Sequence, residues 1–336
     1  MDFSIIIPAY NTEHLISFCL DSVIGQDYPN EQYEIIVVDD CSPNNVREVV
    51  KQKQHESSNI ELFTTPRNIK QGGARNIGIQ NAKGDYIIFL DSDDVWLRND
   101  VLSTFSKIIS QFGDVCIFDN KEYEDIPYTQ FLQENRFSFL CNGTKSSTLS
   151  FEILKPIERI AFERSKNLIN VWLSCYKKDF LVNNRIFFEE GVYYEDTDWR
   201  FRCIAAVQKI VISDFTFYGY RANPSSVTRK MNQKVLTDAI AASMRVLRVA
   251  EELKDCDKEM YHNLKNRAFW DIIEKPRFSR LFKLRDSRKA FAQLNNCHID
   301  GIKCSIMQKI YFWIITHYPS ILYIPYRVLY VIKCTF

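Results

Sequence analysis

Three carboxylates crowd into four residues at Asp91-Ser92-Asp93-Asp94. Like charges this close repel, so a cation or strong hydrogen-bond donors must offset them. A hard divalent cation, Mn²⁺ or Mg²⁺, suits the cluster, since it takes one or two carboxylates and completes its shell with phosphate oxygens. The competing reading is an acidic turn that caps the next helix. Asp39-Asp40 ends an apolar run. One of the two could accept from a ligand N–H, or both could be turn residues. Gly72-Gly73-Ala74-Arg75-Asn76 reads as a flexible entry to a helix. Glycines permit close backbone approach, helix N-termini attract phosphate, and an arginine pairs with a diphosphate. The alternative is an arginine solvated on a helix face. The stretch is neither a Gly-Lys-Ser/Thr phosphate loop nor a G-x-G-x-x-G turn. Glu195-Asp196 precedes a helix expected to start near Thr197, and alone it reads as an acidic N-terminal cap. The five histidines are scattered, and no pair has zinc spacing.

The elements that must position these groups alternate between strand and helix. Ser4-Ile5-Ile6-Ile7 is a β-branched run stopped by Pro8, the pattern of a strand buried on both faces. Thr12 is expected to cap a helix reaching about Gln26, with Leu15, Ile16, Cys19, Leu20, Val23 and Ile24 on its apolar face. Tyr33 to Val38 is a second strand, and Ser42-Pro43 is expected to start the next helix. Glu61 to Phe63 is a third strand, a short helix follows Gly72-Gly73 as far as Gly84, and Asp85 to Leu90 is a fourth strand. Such alternation implies a parallel sheet with helices on both faces. Ligands of such sheets sit outside the carboxyl ends of the strands. Pro8 to Asn11, Asp39-Asp40 and Asp91 to Asp94 all fall at such ends, so folding should gather them into one cleft. Beyond about residue 114 the pattern is irregular, with strand-like pieces at 114–118, 171–176 and 210–218. From about 233 it reads helical, and a boundary is expected near Asn223-Pro224-Ser225-Ser226.

Composition narrows the classes. With 336 residues, 46% hydrophobic and 25% charged, the chain is globular and long enough for about two domains. A net charge of +1 supplies no field for nucleic acid, which is excluded as a partner. The ten cysteines form no C-x-x-C pair, and several sit in apolar runs, so they read as reduced, buried thiols. Met1-Asp2-Phe3-Ser4 opens without a basic or long apolar segment, so a cytoplasmic location is expected. Residues 265–336 carry 13 Lys and Arg against 4 Asp and Glu, which leaves the remainder net acidic. The tail from Ile306 to Phe336 is aromatic and basic, and Pro319 and Pro325 interrupt it. A spanning helix needs about 20 clean apolar residues. This segment suits peripheral contact with the inner membrane instead, the competing reading being a core helix.

These residues, in this order, resemble the family 2 glycosyltransferases, which are inverting enzymes. The resemblance covers roughly residues 3–225. It is carried by Ser4-Ile5-Ile6-Ile7-Pro8-Ala9-Tyr10-Asn11, Ile36-Val37-Val38-Asp39-Asp40-Cys41-Ser42, Gly73-Ala74-Arg75-Asn76-Ile77-Gly78, Gly84 through Asp94, and Tyr194-Glu195-Asp196. Phe217-Tyr218-Gly219-Tyr220-Arg221 and Ser226-Val227-Thr228 look like a later family segment of less fixed role. The resemblance implies an α/β, A-type glycosyltransferase fold: a Rossmann-like nucleotide-binding sheet flanked by helices, with a C-terminal helical extension. It implies a catalytic domain over 1–225, with a nucleotide-sugar half at 1–112 and an acceptor half at 113–225, followed by a helical region over 226–336.

Roles follow the same resemblance. Pro8 and Tyr10 would frame the nucleobase, and Asp40 would accept from a uracil N–H. Asp91 would contact the ribose or nucleotide, and Arg75 would help position it. Asp93, with Asp94 as the other candidate, would hold the metal on the diphosphate. Asp196 would be the general base, with Glu195 beside it in the acceptor site. Cys41 stands where a glycine or asparagine is commoner. The implied reaction moves a hexose or N-acetylhexosamine from a nucleotide-sugar donor, UDP-linked, to a glycan or lipid-linked glycan acceptor in surface polysaccharide synthesis. Two rival classes are a phosphotransferase of the haloacid-dehalogenase type using Asp91 and Asp93, and a non-catalytic nucleotide-sugar binder. The 119–170 stretch matches little and leaves the acceptor open.

Overall fold

A computed structural model describes residues 1–113, 115–120, 123–127, 150–156, 158, 170–222 and 232–274, with 294, 309, 310, 312 and 313 beyond them. Two compact units divide the chain. The first comprises Met1–Arg159, Ile169–Gly191 and Ala206–Pro224, and the second Ile160–Leu168, Val192–Ala205 and Ser225–Phe336.

The first unit opens with strand β1 (Phe3–Ala9), helix α1 (Ile16–Ile24), β2 (Tyr33–Asp39), α2 (Val46–Glu56), β3 (Ile60–Thr64), α3 (Lys70–Asn81) and β4 (Tyr86–Phe89). Every residue of β1 and β2 is buried, as strands covered on both faces require. These four strands are parallel, with β1 between β2 and β4, and Ala9 pairs with Asp39 at the carboxyl end. The unit continues through β5 (Val95–Trp96), α4 (Val101–Phe112), β6 (Ile117–Asn120), β7 (Glu124–Pro127), β8 (Phe151–Leu154), β9 (Ser174–Lys177), α5 (Lys178–Asn183), β10 (Ile210–Ser213) and β11 (Tyr218–Ala222). The main sheet has the order β3-β2-β1-β4-β9-β6-β10-β8, and β5, β11 and β7 form a small second sheet.

The expected parallel sheet is therefore mixed. β9 runs antiparallel to both β4 and β6, and β8 antiparallel to β10. Three helix starts also differ from expectation, two of them because the presumed cap is spent elsewhere. Thr12 donates its hydroxyl to Ser92 (3.1 Å), and α1 begins four residues later. The Ser42 hydroxyl accepts from the Asn11 amide (3.1 Å) while its own amide donates to Asp39, so α2 starts only at Val46. The glycine pair lies inside α3 rather than before it. Farther along α3, a β-carbon on Gly78 would stand 2.3 Å from Ile6 Cγ2 on β1. Glycine there lets the helix lie close on the strand.

In the second unit α6 (Glu195–Ala206) is followed by α7 (Gln233–Leu253) and α8 (Lys258–Glu274). Asn232 caps α7 by accepting from the Val235 amide (3.0 Å). Val235, Leu236, Ala239, Ile240 and Val246 of α7 are buried, as are Leu264, Ala268 and Phe269 of α8. Phe312 packs on Phe269 with ring centroids 5.4 Å apart, and Ile310 and Trp313 are exposed. Among the described residues no helix is long and apolar enough to cross a membrane. The rest of the basic tail, the expected boundary at 223–226 and the Ser226-Val227-Thr228 segment lie outside the described residues. The described cysteines 19, 41, 116, 175, 203 and 256 form no disulfide; 19, 175 and 203 are buried as expected, whereas 41 and 116 are half-buried and 256 is exposed.

Candidate active site

The parallel register brings the expected clusters to one edge of the sheet in the first unit. Asp40 follows β2 directly, and its amide donates to the Ala9 carbonyl (2.8 Å). Leu90 donates to Ile6 (3.0 Å), which sets the acidic turn beside the end of β1. Two left-handed residues, Asn11 and Cys41, both with φ 58°, turn the chain sharply after β1 and β2. That conformation favours glycine or asparagine and costs other residues roughly 1–2 kcal/mol, the physical content of the unusual Cys41. Tyr10 stands 48% exposed at this edge, whereas Pro8 is buried within β1.

Asp39 and Asp40 divide their work. Asp39 is fully buried and joins the Ser42 amide (3.1 Å) and Arg47 (2.9 Å), so it fixes the turn. Asp40 accepts through Oδ1 from the Thr65 hydroxyl (2.9 Å) and the Ile69 amide (2.8 Å). Arg75 is buried in α3 and pairs with Asp91 at 2.7 Å. Its guanidinium carbon lies 5.4 Å from the Phe188 ring and 5.9 Å from Phe89. Neighbouring Asn76 locks the backbone of Phe188, accepting from its amide (2.8 Å) and donating to its carbonyl (2.9 Å).

The acidic turn closes on itself, with the Asp94 amide donating to the Asp91 carbonyl (2.9 Å). Asp94 is buried, and both its oxygens are used. Oδ2 accepts from the Tyr218 hydroxyl (2.7 Å) and Oδ1 from the Arg221 amide (2.7 Å). The Tyr218 oxygen also accepts from the Asp91 amide at 3.3 Å. Trp172 stacks on the Tyr218 ring with centroids 4.0 Å apart. Asp91 and Asp93 remain partly exposed. Burial, and then Asp91 beside it, push the Asp93 carboxyl up to about 6. Burial followed by the charges of Asp93 and Asp91 raises Asp94 well above the ordinary range. Among the described residues no three acidic, histidine or cysteine side chains converge to hold a metal by themselves.

In the second unit Glu195 and Asp196 open α6. Glu195 is buried, and Asp196 is partly exposed. Tyr194 before them is left-handed, with φ 60°. Carboxylates in a first helical turn face the positive end of the helix dipole, which favours their charge.

Residues 4–167 match the model of glycosyl transferase family 2. This stretch of the chain carries a family 2 glycosyltransferase domain. Glycosyltransferase GlyA of Streptococcus pneumoniae is 28% identical over 251 residues, which are 73% of this chain and 34% of GlyA. The Escherichia coli UDP-Glc:alpha-D-GlcNAc-diphosphoundecaprenol beta-1,3-glucosyltransferase WfgD is 41% identical over 122 residues, 35% of this chain and 47% of that protein. The matches thus span a third to a half of these relatives' length. Staphylococcus aureus TarS 1–349 in complex with UDP-GlcNAc superposes with a TM-score of 0.64 at 18% identity, over 98% of this chain and 92% of that one. The mannosyltransferase PcManGT from Pyrobaculum calidifontis, in complex with GDP-Man and Mn²⁺, gives 0.55 at 17% identity, over 98% and 83%. At such identities the likeness is one of fold, the A-type α/β sheet with a helical C-terminal part.

The family 2 match over residues 4–167 includes Asp91 and Asp93 and sets aside their phosphotransferase reading. Among family 2 motif residues, Pro8, Tyr10, Asp40, Arg75, Asp91, Asp93 and Asp94 all lie at or beside one sheet edge. Tyr218 and Arg221, quoted from the sequence without a role, prove to be the partners of Asp94. Their contacts span 124 and 127 residues of chain, a separation that no local spacing rule reads. Thr65 and the Ile69 amide, which hold Asp40, carried no sequence signal.

Proposed function

We propose that the protein transfers a hexose or N-acetylhexosamine from a UDP-sugar to a glycan acceptor, lipid-linked, in cell-surface polysaccharide synthesis. One observation carries this reading. The turn after β4 is braced through Tyr218, Arg221 and Arg75, and leaves Asp91 and Asp93 partly exposed at the carboxyl edge of the sheet, where Tyr10 is also exposed. The names of the relatives support the donor and acceptor classes, since WfgD is named for UDP-Glc and a diphosphoundecaprenol acceptor.

In this reading the exposed Tyr10 ring stacks on the base, and Pro8, buried in β1, supports that turn from beneath. Asp40 meets the uracil N–H through Oδ2, since Oδ1 holds Thr65 and Ile69. Asp91 takes the ribose, and Arg75 acts on the nucleotide by orienting Asp91. Mn²⁺ or Mg²⁺ fits a site with few carboxylates plus a diphosphate, and burial together with the neighbouring Asp91 disfavours the charged form of Asp93, a cost that a bound cation would offset. Asp93 and Asp91 would hold it, whereas Asp94 is committed to Tyr218 and Arg221. Bound there, the cation would stabilise the charge gathering on the departing diphosphate.

Asp196 is the proposed general base, being the more exposed carboxylate of its pair, with buried Glu195 lining the acceptor site. It takes the proton of the acceptor hydroxyl as that oxygen bonds to the anomeric carbon and the bond to UDP breaks. A single displacement of this kind inverts the anomeric centre. A positioned base contributes typically 10²–10⁴-fold. The catalytic domain is taken as 1–225, with donor and acceptor halves at 1–112 and 113–225 and a helical region at 226–336. The basic tail is proposed to rest at the cytoplasmic face of the inner membrane, where lipid-linked acceptors reside.

Thermal unfolding with UDP, GDP, CMP or dTDP, each with Mn²⁺ or EDTA, tests the donor site. A ligand at 100 times its dissociation constant stabilises by ~2.7 kcal/mol. A shift with UDP that EDTA abolishes is expected. Absence of a shift with every nucleotide would refute the donor-site assignment.

A further inference from the structure

Helix α7 carries an aspartate where its pattern calls for an apolar residue. Asp238 is 7% exposed, on a helix whose Val235, Ala239 and Ala242 are buried. A carboxylate so placed is costly unless it is paired and hydrogen-bonded. It is both. Oδ2 accepts from the Tyr193 amide (3.0 Å) and from Lys234 Nζ (2.9 Å), and the lysine lies 5.8 Å from the Tyr193 ring centroid. Two turns along α7, on the same face, Arg245 Nε donates to Asp198 Oδ1 at 2.7 Å. Asp198 is 2% exposed. The two contacts bracket the left-handed Tyr194, Glu195 and Asp196. A non-glycine residue in that conformation stores ~1–3 kcal/mol and persists only where its surroundings hold it.

We infer that Asp238 and Arg245 are positioning residues that make α7 the clamp for Asp196. The inference rests on the reading of Asp196 as the base. Asp238 fixes the backbone immediately before the base, and Arg245 fixes the first turn immediately after it. The helical C-terminal region then takes part in catalysis without touching substrate.

The test uses the full chain with Asp238→Ala, Asp238→Asn, Arg245→Gln and Asp196→Asn. Two quantities are read: hydrogen exchange over residues 191–198, and UDP release from UDP-glucose and UDP-GlcNAc with water as acceptor. Asp238→Ala is expected to speed exchange in that segment and slow UDP release by about 10–100-fold, the scale of a misplaced reacting group. The UDP-induced thermal shift should stay at its wild-type size. Asp238→Asn keeps an oxygen acceptor for the Tyr193 amide and should restore both quantities to within a few-fold. If Asp238→Ala fails to fold, Arg245→Gln reads the other contact, because Asp198 keeps Arg202 at 3.4 Å. Unchanged exchange, or faster exchange with undiminished UDP release, overturns the clamp. Undiminished UDP release in Asp196→Asn instead sinks the base assignment, and the exchange result stands apart from it.

Discussion

Replacing Tyr218 with phenylalanine removes one oxygen from the brace beneath the acidic turn. The ring stays, so its stacking on Trp172 at 4.0 Å is retained. Two contacts go: the hydroxyl donated to Asp94 at 2.7 Å and the oxygen that accepts from the Asp91 amide at 3.3 Å. A hydrogen bond to a charged group contributes ~1.5–3 kcal/mol, and a buried group left unpaired costs ~1–3 kcal/mol. The second contact is long, so about 2–3 kcal/mol is expected in all. At 2–4 °C per kcal/mol this is a fall in Tm of roughly 4–12 °C. The loss should depend on pH. The Asp94 carboxyl is raised in the fold above its ordinary value of 3.8. The folded state therefore binds more protons than the unfolded one, and stability falls as pH rises between the two values. Without the Tyr218 donor the charged form of Asp94 is poorer still. The gap between variant and wild type should be wider at pH 8 than at pH 5. Thermal unfolding at both values, with and without UDP and Mn²⁺, reads all of this, and the nucleotide shift should shrink as Asp91 and Asp93 lose their support. Equal melting temperatures with an undiminished nucleotide shift would refute the brace.

Asp196→Asn should cut turnover by about 10²–10⁴-fold while the UDP-induced thermal shift survives. A chain that binds UDP but shows no turnover in the wild type with any acceptor would be the non-catalytic binder instead. Asp93→Ala should erase the Mn²⁺-dependent part of the UDP shift, as EDTA does. With the Asp93 carboxyl near 6, proton and cation compete for it, so titration calorimetry should find UDP–Mn²⁺ affinity falling below about pH 6. Gly78→Ala should destabilise by ~1–3 kcal/mol despite alanine's better helix propensity, because the new methyl meets Ile6 at 2.3 Å. Denaturant unfolding showing a gain instead would mean that α3 shifts without penalty.

Strands β1 and β2 were legible because each is a short, largely β-branched run buried along its whole length, whereas β3 is mostly half-buried and reads only as a brief apolar stretch. The order of those runs sufficed to place Pro8 to Asn11, Asp40 and Asp91 to Asp94 at one edge, since parallel strands share their carboxyl ends. Helix starts were misread at Thr12 and Ser42. A hydroxyl that suits a local cap serves a distant partner equally well, and only the fold decides which it meets. The antiparallel β9 was not legible for the same reason, because strand direction is chosen by the neighbours and not by the run itself.

The same division holds within the site. Residue types alone put three carboxylates after β4 and a Glu-Asp pair at the start of a helix. They could not rank Asp93 against Asp94, because the difference is Tyr218 and Arg221, more than a hundred residues away. Nor could they assign Asp238 to the segment before Asp196, 45 residues upstream of it at Tyr193. Local chemistry is written in the order of residues along the chain. Which carboxylate is spent on the protein and which is left partly exposed is settled by long-range hydrogen bonds, and those exist only once the chain has folded.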